Sequence, residues 1–513
     1  MFNSFRQALI AVLSVVLCLF TIVEVNFPHL QVLSTQAVFI MLGMVLCFLV
    51  YPLSARWKDV RWLRYVDLIL ALLTVVCCGF VVVQSEEVFK SFWLNGKSMG
   101  DRAGAETTAD FVVGIIGVFL VLETTRRAIG WIVPALALAF ALHSFYCYLS
   151  YSHGWPEMPR WMLPHTGQHL QAVVATSYSH SGVFGTAAEV MFRYVFLFVV
   201  FGSFLEISGA TQFIIDFSER VFGRSPGGPA KVAVLGSGLM GSLSGSAVAN
   251  AVTTGAFTIP MMRNSGFKNH VAGGITAAAA TGGALVPPVM GAGAYMMLEL
   301  VKPSVTFLQI ARAAVIPAIL YYFSLWMIVH FYSRRLGAEV VQQEKKPRPI
   351  NVYDGVVFFS ALLTLIGLLF VFTPFKAVTG SLVVILLLTI LRDKLADGSQ
   401  LATGSRLFVF AGFVLFTAAY LGYLALKTEE FTELQGFRKT FELLLDASFV
   451  GMIGMIFAGL LHPAWRKSIL GVLTKSSKNG ISLVAASACV GIIIGIITQT
   501  GIASTKQAPR NFT

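Results

Sequence analysis

GSGLMGSLSGSAVAN, residues 236–250, decides how this chain is read. Ten of these fifteen residues are Gly, Ala or Ser, and they lie inside a run of 31 residues, Val232 to Met262, that carries no charge. A second uncharged run extends from Asn269 to Leu298. Within it, Ala272 to Gly283 consists of Gly, Ala and Thr except for Ile275, and Pro287 and Pro288 follow. Both runs are apolar enough to enter a bilayer, yet they are full of helix breakers and hydroxyls. Lipid cannot satisfy the backbone groups that such breaks expose, so those groups must face protein, water or a bound ion. The functional site is expected here.

Around the two runs, the composition is that of a polytopic membrane protein. The 513 residues are 56% hydrophobic and 12% charged, and that charged share is about half of what a soluble globular domain carries. The net charge of +12 therefore reads as topology. Lys and Arg sit mostly in short loops, with no basic, aromatic-interleaved face of the kind that binds nucleic acid, so a nucleic-acid partner is not expected. The six cysteines, Cys18, Cys47, Cys77, Cys78, Cys147 and Cys489, fall in apolar segments without CxxC spacing. They read as small buried residues rather than as zinc ligands or a disulfide framework. Arg6 precedes a hydrophobic run from Ala8 to Val23, but no small-x-small cleavage site follows, so an uncleaved first helix is expected.

About twenty apolar residues cross a bilayer. On that scale, spans are expected near 7–25, 35–53, 66–84, 108–125, 128–150, 183–207, 308–332, 352–374, 377–391, 406–427, 445–461 and 481–501. With 270–300 as a broken crossing helix and 232–262 as a hairpin, the expected fold is all-α, with about 13 membrane-crossing helices plus one re-entrant hairpin. The segment 153–180, with Trp155, Pro156, Pro159, Trp161 and Pro164, reads as interfacial.

Loop charge orients the spans. The basic clusters are Arg6; Arg56, Lys58, Arg61 and Arg64; Arg126 and Arg127; Arg220, Arg224 and Lys231; and Arg334, Arg335, Lys345, Lys346 and Arg348. Counting from a cytoplasmic N-terminus places all of them inside, provided that 232–262 enters and leaves on the same side. The mixed-charge loop 85–110 is then external.

Three hydroxyls and an amide, Ser242, Ser244, Ser246 and Asn250, alternate at the hairpin with residues too small to block the backbone. A helix interrupted here exposes carbonyls suited to a hard cation, and the restarting helix N-terminus suits an anion. The competing reading is close helix packing, because Gly241-x-x-x-Gly245 is a small-xxx-small pattern. In the second run, Thr281, Gly282 and Gly283 precede Pro287 and Pro288, which remove two backbone donors, so a helix in two halves is expected, the competing reading being a simple proline kink. Glu189 and Arg193, four residues apart, read as a structural ion pair. Glu24, Glu123 and Glu206 read as solvated at span ends, and His143 and His180 as packed rather than ligating. No HExxH or Walker A motif is present, so binding chemistry is expected rather than catalysis, with no catalytic residue and no cofactor.

The string GSLSGSAVANAVTTGAFTIPMMRNSGFKNHVAGGITAAAATGGALVPPVMGAGAYMMLE resembles the large membrane subunit of tripartite ATP-independent periplasmic (TRAP) transporters, most of all the TAXI branch with fused small and large subunits. The likeness rests on the SGS-x-x-AN tip, the basic turn Arg263 to Lys268 and the PP-containing broken helix. It implies an ion-transporter-like elevator fold, with 1–127 as a small-subunit-like four-helix scaffold and 128–150 as a connecting helix. It further implies 151–346 as the first half of the transport subunit, 347–501 as an incomplete second half, and 502–513 as a divergent tail. By that resemblance, Ser242, Ser244, Gly245, Ser246 and Asn250 build one half-site with Thr281, Gly282, Gly283, Pro287 and Pro288, and sodium sits at Ser244, Ser246 and Gly283. The implied protein is an inner-membrane permease that takes up a small organic acid anion from a periplasmic TAXI-type binding protein, with sodium as coupling ion. The family's core is an inverted repeat, and after Gly501 this sequence turns to IASTKQAPRNFT. The expectation is a C-terminally truncated form that lacks the end of its second repeat and does not transport by itself. The alternatives are an ion channel or passive pore, which needs no soluble partner, and a non-transporting membrane scaffold.

Overall fold

The computed structural model describes residues 2–53, 61–102, 104–223, 225–301, 303, 305–336, 351–392, 402–426 and 437–501. Among these residues there are helices and no strands. Eleven helices are long and apolar enough to cross a membrane, and Pro374–Ile390 is an apolar helix of shorter length. The protein is a multi-pass membrane protein. Its outer faces agree: Ile316, Ile319, Leu320 and Phe323 follow helical spacing and are 67%, 62%, 60% and 54% exposed, an apolar stripe that water would penalise and lipid would not.

Contacts divide the chain into two compact units, Met1–Arg193 with Ser477–Thr513, and Tyr194–Ser476. The first unit contains α1 (Phe2–Asn26), α2 (Val32–Val50), α3 (Arg61–Val83), α4 (Thr108–Ala128), α5 (Ile132–His153), α6 (Leu170–Ser177) and α7 (Thr186–Val190). Glu24, expected to be solvated, is 6% exposed. Its carboxylate accepts from the backbone N–H groups of His29 and Leu30 at 2.8 and 2.7 Å and so holds the turn between α1 and α2. A carboxylate that satisfies otherwise orphaned turn amides has a reason to be buried. Glu123 likewise takes both Arg126 and Arg127, each at 2.7 Å, and Arg127 also reaches Asp67 at 2.5 Å. Before α4, Thr107 and Asp110 form a reciprocal capping box. Asp110 pairs at 2.7 Å with Arg102, which is 2% exposed and also donates to Gln84 at 2.8 Å. These bonds pin the 84–110 loop.

The second unit contains α8 (Phe196–Ile207), α9 (Ala210–Phe222), α10 (Gly228–Ser244), α11 (Ala247–Asn264), α12 (Asn269–Gly282), α13 (Ala292–Leu300), α14 (Phe307–Arg335), α15 (Val352–Leu369), α16 (Pro374–Ile390), α17 (Thr403–Leu426) and α18 (Phe437–Leu461). A π-helical turn, Met191–Val195, joins α7 to α8. After α18 only His462 intervenes before α19 (Pro463–Thr500), a 38-residue helix shared between the units. The charged gap expected between 461 and 481 is helical instead. Pro463 sits at a helix start, where it is tolerated, and Arg466, Lys467, Lys475 and Lys478 are good helix formers. In the second unit, Lys475 of α19 reaches Glu206, which is only partly exposed, at 2.5 Å.

α9 has no counterpart in the expected spans. It is too short to cross, buries Phe213, Ile214 and Ile215, and is tied to α15 and the end of α16 through Arg392, which pairs with Asp354 and donates to the Ser208 carbonyl. All six cysteines are buried and unbridged. The basic residues Arg56, Lys58, Arg224, Lys345, Lys346 and Arg348 used to orient the spans, and the 502–513 tail, lie outside the described residues.

Candidate functional site: a hairpin tip seated on a broken helix

The first uncharged run folds into a helical hairpin. α10 ends where Gly245 adopts a left-handed conformation (φ 58°) that closes the last turn through its N–H to the Gly241 carbonyl at 3.0 Å. The chain reverses, and Ser246 caps α11 by accepting from Ala249 N–H at 3.3 Å. Polar rungs join the two arms: Asn250 Nδ2 donates to the Ser237 carbonyl at 2.8 Å, and Ser237 and Thr254 hydroxyls meet at 3.1 Å. At 1.5 Å per residue, the 17 residues of α10 reach about 25 Å, nearly the depth of a hydrocarbon core.

The second run breaks where the prolines predict. α12 tightens into a 3-10 turn at Gly283–Leu285, the chain passes Pro287 and Pro288, and α13 starts after Gly291. Gly291 N–H closes the break on the Ala284 carbonyl at 2.7 Å. Tyr321 and Tyr322 of α14 donate to the Ala278 and Ala279 carbonyls, each at 2.8 Å, where the α12 ladder runs out of donors. Tyr295 is fully buried, bonded to the Val289 carbonyl and stacked between Tyr194 and Phe307. This fixes the far side of the break.

The tip and the break meet main chain to main chain. A Cβ on Gly241 would lie 2.2 Å from Gly283 Cα, and one on Gly245 would lie 2.1 Å from the Met290 carbonyl oxygen. A Cβ on Gly283 would lie 2.7 Å from Asn250 Nδ2. Only glycine allows this approach. Gly245, Asn250 and Gly283 all lie at this approach. Ser244 and Ser246 share the tip, with Ser246 N–H 3.4 Å from Ser244 Oγ. Ser242 instead bonds back to Leu239 on its own helix at 2.7 Å. Thr281 is exposed, with its hydroxyl on the Ala277 carbonyl at 2.8 Å. Gly282 packs beneath Tyr321, and in the break Pro287 is half-buried and Pro288 buried. The reading missed Gly241, Met290 and Gly291. Gly241 carried a signal, because the small-xxx-small pattern set aside as mere packing is the contact itself; Met290 carried none.

Asn250 Oδ1 decides the site's chemistry: it is buried with no hydrogen-bond partner. A buried amide oxygen without a donor is costly unless something electropositive faces it. The Ser244 and Ser246 hydroxyls at the tip are oxygens too, the donor type that a hard cation such as sodium takes. The N-termini of α11 and α13 offer N–H groups to an anion. In the first unit, Glu189 and Arg193 form the expected pair at 3.1 Å. Glu189 also lines a cavity of about 320 Å³ with Gln31, Gln36, Ser85 and His180.

Residues 116–427, which include both the hairpin and the broken helix, match the family described as tripartite ATP-independent periplasmic transporter, DctM component. The chain belongs to this family. Among relatives of this TRAP permease, the 2,3-diketo-L-gulonate TRAP transporter large permease protein of Escherichia coli is 39% identical over 77 residues, 15% of this chain and 18% of the relative. A putative TRAP transporter large permease protein of Haemophilus influenzae is 32% identical over 91 residues, 18% and 21% of the two chains. The sialic acid TRAP transporter large permease protein of Vibrio cholerae is 29% identical over 189 residues, 36% of this chain and 43% of the relative. The TRAP permease thus aligns with less than half the length of each of these relatives.

Proposed function

We propose that this chain is the membrane permease of a binding-protein-dependent secondary transporter that takes up a small organic acid anion and is driven by sodium. The observation that carries the reading is the glycine-only approach of hairpin tip to helix break around the unpartnered Asn250 oxygen. Ser244, Ser246, Asn250 and the break at Gly283 hold the cation, and the α11 and α13 N-termini hold the carboxylate. Sodium supplies fixed positive charge beside the carboxylate; the hydroxyls and amide orient both. Two relatives are named for sugar-acid substrates, 2,3-diketo-L-gulonate and sialic acid, which supports a carboxylate cargo. The partner is a periplasmic substrate-binding protein of the TAXI type. Residues 1–127 serve as a fused small-subunit-like scaffold for an elevator-type mechanism in the bacterial inner membrane, with the N-terminus in the cytoplasm.

A version of the permease that carries a complete second repeat, reconstituted in liposomes with its binding protein and a labelled organic acid, tests this. Uptake is expected to need both the soluble partner and an inward sodium gradient. In detergent, sodium and the anion are expected to raise each other's apparent affinity by the same factor. Flux without the partner would identify a pore instead, and equal responses to sodium and potassium would refute cation coupling.

A further inference from the structure

The loop after α5 folds back on that helix and builds a cluster that transport does not use. His143 and Cys147 lie one turn apart on α5, at the spacing that puts two side chains on one face. The returning chain brings His165 against them, with the His143 and His165 rings 5.3 Å apart between centroids. Cys147 Sγ lies 3.9 Å from His143 Nε2, and one ligand atom from each of the three residues lies within 4.8 Å of the others. Ligand atoms around a tetrahedral zinc stand roughly 3.3–3.7 Å apart, from bond lengths near 2.0–2.3 Å, so small side-chain rotations close the triangle.

We propose that His143, Cys147 and His165 form a binding site for a borderline divalent metal of the zinc class, clamping the 154–169 loop to α5. An unpartnered nitrogen supports it. His165 Nδ1 accepts from Gly167 N–H at 2.8 Å, so the neutral ring carries its proton on Nε2, which is buried without a partner. Loading replaces hydrogen bonds with metal bonds. The Cys147 thiol loses its proton to solvent as sulfur binds, and each imidazole shifts its proton to Nδ1 as Nε2 binds. His165 thereby gives up the Gly167 bond, and His143 gives up its 2.8 Å bond to the Met162 carbonyl. Five of the nine histidines lie between His143 and His180, a local enrichment that the spacing of the cysteines conceals.

The test uses the full chain in detergent. Zinc alone, titrated against a chromophoric chelator, is expected to bind at one equivalent, and cobalt is expected to give a thiolate charge-transfer band. Cys147→Ser and His165→Gln should each weaken zinc at least about 100-fold and Cys147→Ser should abolish the band, whereas Cys489→Ser, outside the cluster, should change neither. Wild-type protein that binds no zinc or gives no thiolate band, which needs no variant to show, overturns the site. So does Cys147→Ser protein that keeps wild-type zinc affinity.

Discussion

Gly241→Ala separates the local preference of a helix from the contact the helix makes. In the interior of α10, alanine is favoured over glycine by about 1 kcal/mol. The added Cβ would stand 2.2 Å from Gly283 Cα, whereas carbon atoms rest about 3.5–4.0 Å apart. The tip must therefore retreat from the break by about 1.3 Å or more, the difference between 3.5 and 2.2 Å. Hard cations hold their oxygens within about 2.3–2.6 Å, so a retreat of that size removes at least one ligand. Sodium at ten times its dissociation constant stabilises the unaltered protein by about 1.4 kcal/mol. Thermal unfolding in sodium against potassium at equal ionic strength should show that increment vanish in Gly241→Ala, with the sodium-free midpoint changed little. Gly274→Ala is the control: nothing lies within 4 Å of its new Cβ, so it should gain helix stability and keep the full sodium response. A Gly241→Ala protein that answers sodium like the wild type would refute the reasoning.

Asn250→Ala removes the rung to Ser237 and the unpartnered oxygen together. It should lower stability by about 1–3 kcal/mol and eliminate the sodium increment, both read in the same unfolding experiment. Ser246→Leu fills the hairpin tip and, in the version with a complete second repeat, should abolish uptake in the liposome assay; normal kinetics would place the site elsewhere. Arg102→Met leaves Asp110 buried and unpaired and should cost about 3–5 kcal/mol, much of it recovered in the Arg102→Met, Asp110→Leu double variant. His165 carries its proton at about 4 when folded, against 6.5 in the free side chain. The unfolded chain therefore binds that proton first, and stability should decline as pH falls from about 6.5, levelling off below about 4. His165→Gln should flatten that segment of the pH profile.

The spans are legible because their apolar runs are long and their ends carry charge or turn residues. The hairpin and the break are legible because glycine, serine and paired prolines at mid-span have few other uses. What stays hidden depends on partners distant in sequence. Glu24 is an acid at a span end, and nothing nearby says that the amides of His29 and Leu30 will enclose it. The lysines and arginines from Arg466 to Lys478 mark a loop by charge alone, but with no breaker beyond Gly471 and Gly480 they continue a helix. Ser242 and Thr281 match the site by residue type and miss it by phase, each bonded to a carbonyl of its own helix. His143 stands alone in sequence and acquires His165 only when the loop folds back.

Where the hairpin tip meets the break, Gly241, Gly245, Gly283 and Gly291 bring main chain against main chain. Glycine has no side-chain torsions to freeze, and helix geometry already holds most of these backbone positions, so closing the contact costs little conformational entropy. Opening it regains equally little. A cation bound as proposed would therefore add its kilocalorie or two to a contact that orders almost no side chain.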